Sequence, residues 1–186
     1  MKLEQVYEGE SLNQIKDLYM MAFPKEERKP FEMICRLQQE GKAAVYAIGK
    51  EDGTFVGLGI FVLYRDLALL DYFAIAPEQR NKGLGSEALK LLQQVYSGRR
   101  FFLEIESVYE KMENNSAEKQ MRIRRKQFYL KNGMHSMSYL IWLFGVEMEI
   151  LTYGDTVSFE EYLELYANTV EPAWLSNVRY LRKIQE

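Results

Sequence analysis

From Leu67 to Ala76 the chain is apolar with one interruption, Asp71, and Pro77 stops the run. Such a run, closed by proline, predicts a buried strand. A polar, basic turn follows, Gln79-Arg80-Asn81-Lys82-Gly83-Leu84-Gly85, and Leu84, Ala88, Leu91, Leu92 and Val95 then recur on one helical face. Glycines let backbone approach a ligand closely. The first N–H groups of a helix have no partner within it and carry the positive end of its dipole. This stretch therefore predicts an anion site, with a pyrophosphate as the natural guest.

The same pattern reading orders the rest of the chain. Leu3 to Glu8 predicts a short strand. Ser11 and Gln14 suggest a capping box for a helix that Phe23-Pro24 ends. Pro30 to Gln39 predicts a second helix closed by Gly41. Ala43–Gly49 and Thr54–Tyr64 flank Glu51-Asp52-Gly53, a hairpin turn, with Gly57 and Gly59 suggesting a bend or bulge in the second strand. After Ser97-Gly98 come a strand, Phe101 to Glu106, and a helix, Ala117 to Lys131, entered through Asn114-Asn115-Ser116 and closed by Asn132-Gly133. The strands on either side of the glycine-turn helix should be parallel neighbours. Met137–Phe144 and Val146–Leu151 read as strands around Gly145, and Ser158 as the cap of a helix reaching Ala167. Glu171 to Glu186 is an amphiphilic extension carrying Trp174, Val178, Leu181 and Ile184.

Composition narrows the class. The chain has 186 residues, 47% apolar and 27% charged, which suits one soluble domain with a substantial core. A net charge of −3 gives no general attraction to nucleic acid or anionic membrane. One cysteine, Cys35, rules out an internal disulfide, and one histidine, His135, argues against a His-rich metal site. Neither a signal-peptide core nor a transmembrane run stands in the sequence, so a cytoplasmic location is expected, with no metal.

Gly83-Leu84-Gly85-Ser86-Glu87-Ala88 fits the G-x-G-x-x-A dinucleotide fingerprint, with Glu104 about twenty residues on. In that fingerprint the first glycine sits at the strand end; here Pro77 to Lys82 intervene. The antiparallel meander before the turn also departs from a fold that begins with a βαβ unit. Gln79-Arg80-Asn81-Lys82-Gly83-Leu84-Gly85 instead resembles the Q/R-x-x-G-x-G/A signature of the GNAT superfamily of acyl-CoA N-acyltransferases. Arg124-Arg125-Lys126-Gln127-Phe128-Tyr129-Leu130-Lys131-Asn132-Gly133-Met134 resembles its second signature, with Met134 where phenylalanine is usual. Leu103-Glu104-Ile105-Glu106 resembles the strand before it. Phe23-Pro24-Lys25-Glu26-Glu27-Arg28 resembles more weakly the family's substrate-side loop.

The resemblance implies an α/β fold with a mixed central sheet of about seven strands: an antiparallel meander, a parallel splayed pair and flanking helices. It implies acetyl-CoA as co-substrate. The cofactor would be held by Phe73, Ile75, Gln79, Arg80, Asn81, Lys82, Gly83, Leu84, Gly85 and Ser86, with Arg122 and Arg125. It implies Tyr129 as the acid that protonates the leaving thiolate, and Glu104 as the general base. Asp71 is a rival base or a structural acceptor. The acceptor would be a primary amine on a small molecule or peptide, and a homodimer is common in the family. A module that binds the cofactor without transfer, or a nicotinamide-dependent oxidoreductase, is the alternative.

The residues themselves add two expectations. On the 117–131 helix, Met121 and Phe128 lie nearly opposite Ile123 and Leu130, with Arg122, Arg125, Lys126 and Tyr129 along the seam between them. The helix should be wedged between two surfaces, with the cations lowering the pKa of the Tyr129 phenol. Glu104 and Glu106 share a face of their strand, where two buried carboxylates would raise at least one pKa.

Overall fold

The computed structural model describes residues 1–109 and 116–184, which form two compact units, 1–97 and 98–186. In the first, strands β1 (Lys2–Gln5), β2 (Ala43–Gly49), β3 (Phe55–Tyr64) and β4 (Leu67–Ile75) pair antiparallel in sequence order. Helices α1 (Glu10–Ala22), α2 (Phe31–Gln39) and α3 (Leu84–Val95) accompany them. Val45, Leu58 and Ile60 pack with Ile15, Leu18 and Tyr19 of α1 and with Ile34 of α2. Side chains alternate along a strand, so Gly59 faces the other way. A Cβ there would come within 3.0 Å of Leu92, which is how closely α3 covers that face. Strands β2 and β3 and the first part of β4 are buried on both sides, and this explains their continuous apolar runs.

A bulge falls beside Gly57, as expected: Ile48 pairs with Gly57 and Gly49 with Phe55, so Val56 of β3 is skipped. Strand β4 carries a second bulge. Ile60 pairs with Tyr72 and Phe61 with Leu70, so Asp71 is left without a cross-strand partner. Gly57 also permits a close approach: a Cβ would meet the Ala74 carbonyl oxygen at 2.3 Å. At the start of α1 the expected Ser11 capping box is absent. The helix begins at Glu10 after Gly9, with no side-chain cap.

In the second unit, β5 (Arg100–Glu106), β6 (His135–Leu143), β7 (Val146–Tyr153) and β8 (Val178–Lys183) form an antiparallel arrangement in the order β5-β7-β6-β8. Helix α4 (Ala117–Lys131) joins β5 to β6, and α5 (Phe159–Thr169) follows β7. Phe144 and Gly145 both have positive φ, 47° and 95°, as a two-residue primed turn between twisted strands requires. Ser116 caps α4 by accepting from the Lys119 N–H, while Asn114 and Asn115 lie outside the described residues. The amphiphilic extension becomes a short 3₁₀ segment and then β8, so eight strands are described where about seven were expected. This strand pairs antiparallel with β6 and buries Val178, while Leu181 stays exposed. No helix among the described residues is long and apolar enough to cross a membrane.

Candidate active site

The glycine turn leaves the end of β4 through a 3₁₀ turn at Pro77–Gln79. Arg80 folds back and donates through Nε to the Ile75 carbonyl at 2.9 Å, and Lys82 Nζ donates to the Glu78 carbonyl at 2.7 Å. These two cations are turned onto their own loop, where they fix its shape. Asn81 (φ 62°) and Gly83 (φ 77°) are both left-handed, and Gly83 caps α3 without a side-chain bond. Among the described residues, the N–H groups of Asn81, Lys82, Gly83, Leu84 and Gly85 donate to no acceptor. Ser86 N–H is already spent on the Gly83 carbonyl at 3.1 Å. Unpaired N–H groups in alternating backbone conformations at a helix start form an anion-binding concavity. Nothing stands within 4 Å of where a Gly83 Cβ would project, so the concavity is open.

At the β4 bulge, Asp71 is engaged by the ammonium of Lys29 at 2.5 Å, with side-chain exposures of 7% and 18%. The neighbouring Tyr72 hydroxyl donates to the Glu27 carbonyl at 2.9 Å and accepts from the Lys29 N–H at 3.1 Å. Tyr19 donates to the Lys29 carbonyl at 2.9 Å. Asp71 therefore straps the 24–30 loop to the sheet through an ammonium. Phe73 and Ile75 lie on the half-buried side of β4, while Tyr72 and Ala74 face the core.

In the second unit, Glu104 is half-buried. Its Oε1 accepts from the hydroxyls of Tyr162 at 2.5 Å and Tyr166 at 2.9 Å. Glu106 is bound by Arg125 at 2.5 Å and Arg122 at 3.3 Å. The two carboxylates share a face, as expected, yet each has its own partners. Arg122 also meets Glu118 at 2.7 Å and the Ser107 carbonyl at 3.2 Å. Arg122 and Arg125 are thus engaged by carboxylates.

Helix α4 corrects the wheel argument. Met121 and Leu130 are exposed, and the buried positions are Arg122 and Tyr129, with Lys126 half-buried between them. The inward stripe at i, i+4 and i+7 is polar. Burial pushes the Tyr129 phenol up to about 12, against the smaller downward pull of Arg125. Desolvation outweighs the cation, so the expected lowering is reversed. The Tyr129 hydroxyl makes no hydrogen bond among the described residues. At neutral pH it is a protonated donor awaiting an acceptor. His135 lies exposed, consistent with a surface residue.

Sequence reasoning did not find Tyr162 and Tyr166, which lie one helical turn apart on α5 and are buried. It also missed Glu149, which is fully buried and aligned with Ile105 across β5 and β7. Its Oε1 takes Lys126 Nζ at 2.7 Å and the Ser136 hydroxyl at 2.5 Å. No sequence signal marked it, because Glu149 alternates with Met148 and Ile150 as an outward strand residue would.

The profile of the acetyltransferase (GNAT) family matches residues 12–120. A comparison with curated proteins gave no match. Among solved structures, a Bacteroides thetaiotaomicron protein assigned as a GNAT-family acetyltransferase superposes with a TM-score of 0.70 at 19% identity, covering 94% of this chain and 98% of its own. An aminoglycoside 6′-N-acetyltransferase bound to coenzyme A gives 0.62 at 13%, covering 85% and 100%. A chimeric spermidine N-acetyltransferase from Vibrio cholerae gives 0.60 at 14%, covering 82% and 93%. The family profile spans more than half of the sequence and the fold agrees over nearly all of it: the chain belongs to the GNAT family of acetyltransferases.

Proposed function

We propose that the protein transfers the acetyl group of acetyl-CoA to a primary amine of a small molecule or peptide by direct attack in a ternary complex. The open row of unpaired N–H groups from Asn81 to Gly85 carries this reading, because it is built for a pyrophosphate. Two of the solved structures with this fold hold coenzyme A.

The chemistry follows from proton bookkeeping. The acceptor arrives as an ammonium, and Glu104 takes a proton to free the nitrogen lone pair. Nitrogen bonds to the thioester carbon, and the carbon–sulfur bond then breaks. The nitrogen sheds a second proton, and sulfur leaves as a thiolate. Tyr129 donates to that thiolate and regains its proton from solvent, so one proton is released per turnover. A phenol held at about 12 is a weaker acid than a thiol, so Tyr129 acts first as a hydrogen-bond donor to the developing charge. Asp71, held by Lys29, shapes the loop and leaves the base role to Glu104.

Calorimetric titration with acetyl-CoA, CoA and NAD tests the binding half. Gly83→Glu, which puts a carboxylate into the concavity at a positive φ, should abolish acetyl-CoA binding while circular dichroism is retained. Tyr129→Phe should lower kcat by about 10²-fold or more with little change in KM, followed by thiol release. Binding of NAD in place of acetyl-CoA would overturn the assignment of the site. Acetyl-CoA binding with no transfer to any amine would favour a binding module.

A further inference from the structure

Helix α5 lies outside the part of the chain that the family profile matches, yet it places two buried hydroxyls on one oxygen of Glu104. Tyr162 is fully buried and Tyr166 nearly so, at 0% and 3% exposure. The capping box at Ser158 and Glu161 sets where α5 begins, and Arg100 of β5 grips Glu161 through both of its oxygens at 2.7 and 2.8 Å. The start of the helix is thereby fixed to the strand that bears Glu104.

We infer that Tyr162 and Tyr166 are positioning residues for the general base: they hold the Glu104 carboxylate ionised and in one orientation, so that it meets the acceptor's ammonium ready to take a proton. This rests on the reading of Glu104 as the base. Two phenols donating to one carboxylate oxygen favour the charged form. They also fix the carboxylate's torsion, which leaves its second oxygen in a defined direction. Burial and the Glu104 charge keep Tyr162 protonated well beyond neutral pH, so it is a donor throughout the working range. The other charges near Glu104 have partners of their own. Arg100 pairs with Glu161, Glu106 with Arg122 and Arg125, and the Tyr139 hydroxyl of β6 donates to the Val157 carbonyl at 2.8 Å. Glu160 and Glu164 on α5 and Lys126 on α4, the latter held by Glu149, complete the ionisable surroundings. None of them changes in a Tyr→Phe exchange, so a shift on that exchange belongs to the hydroxyl.

The test is a carbon-13 carboxyl titration of glutamate-labelled protein, with Glu104→Gln identifying the Glu104 resonance. Tyr162→Phe and Tyr166→Phe keep the ring and remove one donor each. Each should raise the Glu104 pKa by about one unit, the shift expected for losing a hydrogen bond to a charged group. In parallel, the kcat–pH profile for acetyl transfer to n-butylamine should have its acid limb displaced to higher pH by the same amount, with KM for acetyl-CoA unchanged. Glu104→Gln should remove that limb. If Glu104→Gln keeps both rate and limb, Glu104 is not the base and the inference falls with that reading. If Glu104→Gln removes the limb but neither phenylalanine variant moves the resonance or the limb, the tyrosines are packing residues and the inference alone is overturned. Should one phenylalanine variant fail to fold, the other decides.

Discussion

At the residue scale, the chemistry depends on which charges are already taken. Lys126 and Glu149 meet inside the C-terminal unit, with Lys126 14% exposed and Glu149 fully buried. Glu149 Oε2 has no hydrogen-bond partner among the described residues, so the pair is incompletely satisfied. Burying two charges costs about what their attraction returns, and removing one of them strands the other. Glu149→Ala should therefore destabilise the protein by about 3–5 kcal/mol. The double variant Glu149→Leu with Lys126→Met, which replaces the pair by apolar groups of similar size, should be close to wild type in stability. Denaturant midpoints at constant m-value measure both. A double variant as unstable as the single one would show that Lys126 and Glu149 are not coupled. None of this was legible beforehand. The sequence places Lys126 on a helix seam without naming its partner, and the alternation of Glu149 with Met148 and Ile150 is that of an outward strand residue. Only the pairing of β7 with β5 turns Glu149 inward.

At the element scale, the glycine turn and the helix after it were legible because local rules are enough to specify them. A proline, two residues that accept positive φ and an uncapped helix start make an anion cradle whatever surrounds it. Helix α4 was legible in its bounds, 117–131, but not in its orientation. The apolar residues suggested two buried sides, whereas ion pairs to Glu106 and Glu149 turn Arg122, Lys126 and Tyr129 inward. The sign of the Tyr129 shift went wrong for the same reason, since sequence shows neighbouring cations and cannot show burial. Helix α5 was legible from its cap. Ser158 accepts from the Glu161 N–H at 3.2 Å, and Glu161 accepts from the Ser158 N–H at 3.0 Å. Ser158→Ala should cost about 1 kcal/mol. Because α5 carries the two tyrosines on Glu104, thermal melts of that variant should fall together with the tyrosine signal in near-ultraviolet circular dichroism. A loss of cap energy with no change in the aromatic signal would mean that Arg100 alone holds α5 in place.

At the scale of the whole molecule, sequence and fold delimit the protein differently. The family profile stops at residue 120, while the fold likeness covers 94% of the chain. What lies past the profile is held by pairing more than by motif, and β8 is the clearest case. It closes one edge of the C-terminal unit by pairing with β6 from Leu143↔Val178 to Tyr139↔Lys183. Tyr180 stacks on Tyr139 with ring centroids 6.0 Å apart, and Trp174 leans on Phe144 at 5.8 Å. Arg179, Arg182 and Lys183 put positive charge on this outermost strand, which discourages further strands from adding to it. A chain ended after residue 170 would lose that charged strand and present β6 as the edge in its place. The exposed edge would be Tyr139-Leu140-Ile141-Trp142-Leu143, an uncharged apolar segment with high β-propensity and no proline. The shortened protein should therefore associate in a concentration-dependent way, seen by light scattering and by earlier elution on gel filtration, and should melt at a lower temperature. The acetyl-CoA site proposed at residues 79–86 should still bind when the sample is dilute. Loss of binding in a dilute, monomeric truncated protein would mean that β8 does more than protect an edge, and that the C-terminal unit needs it to fold.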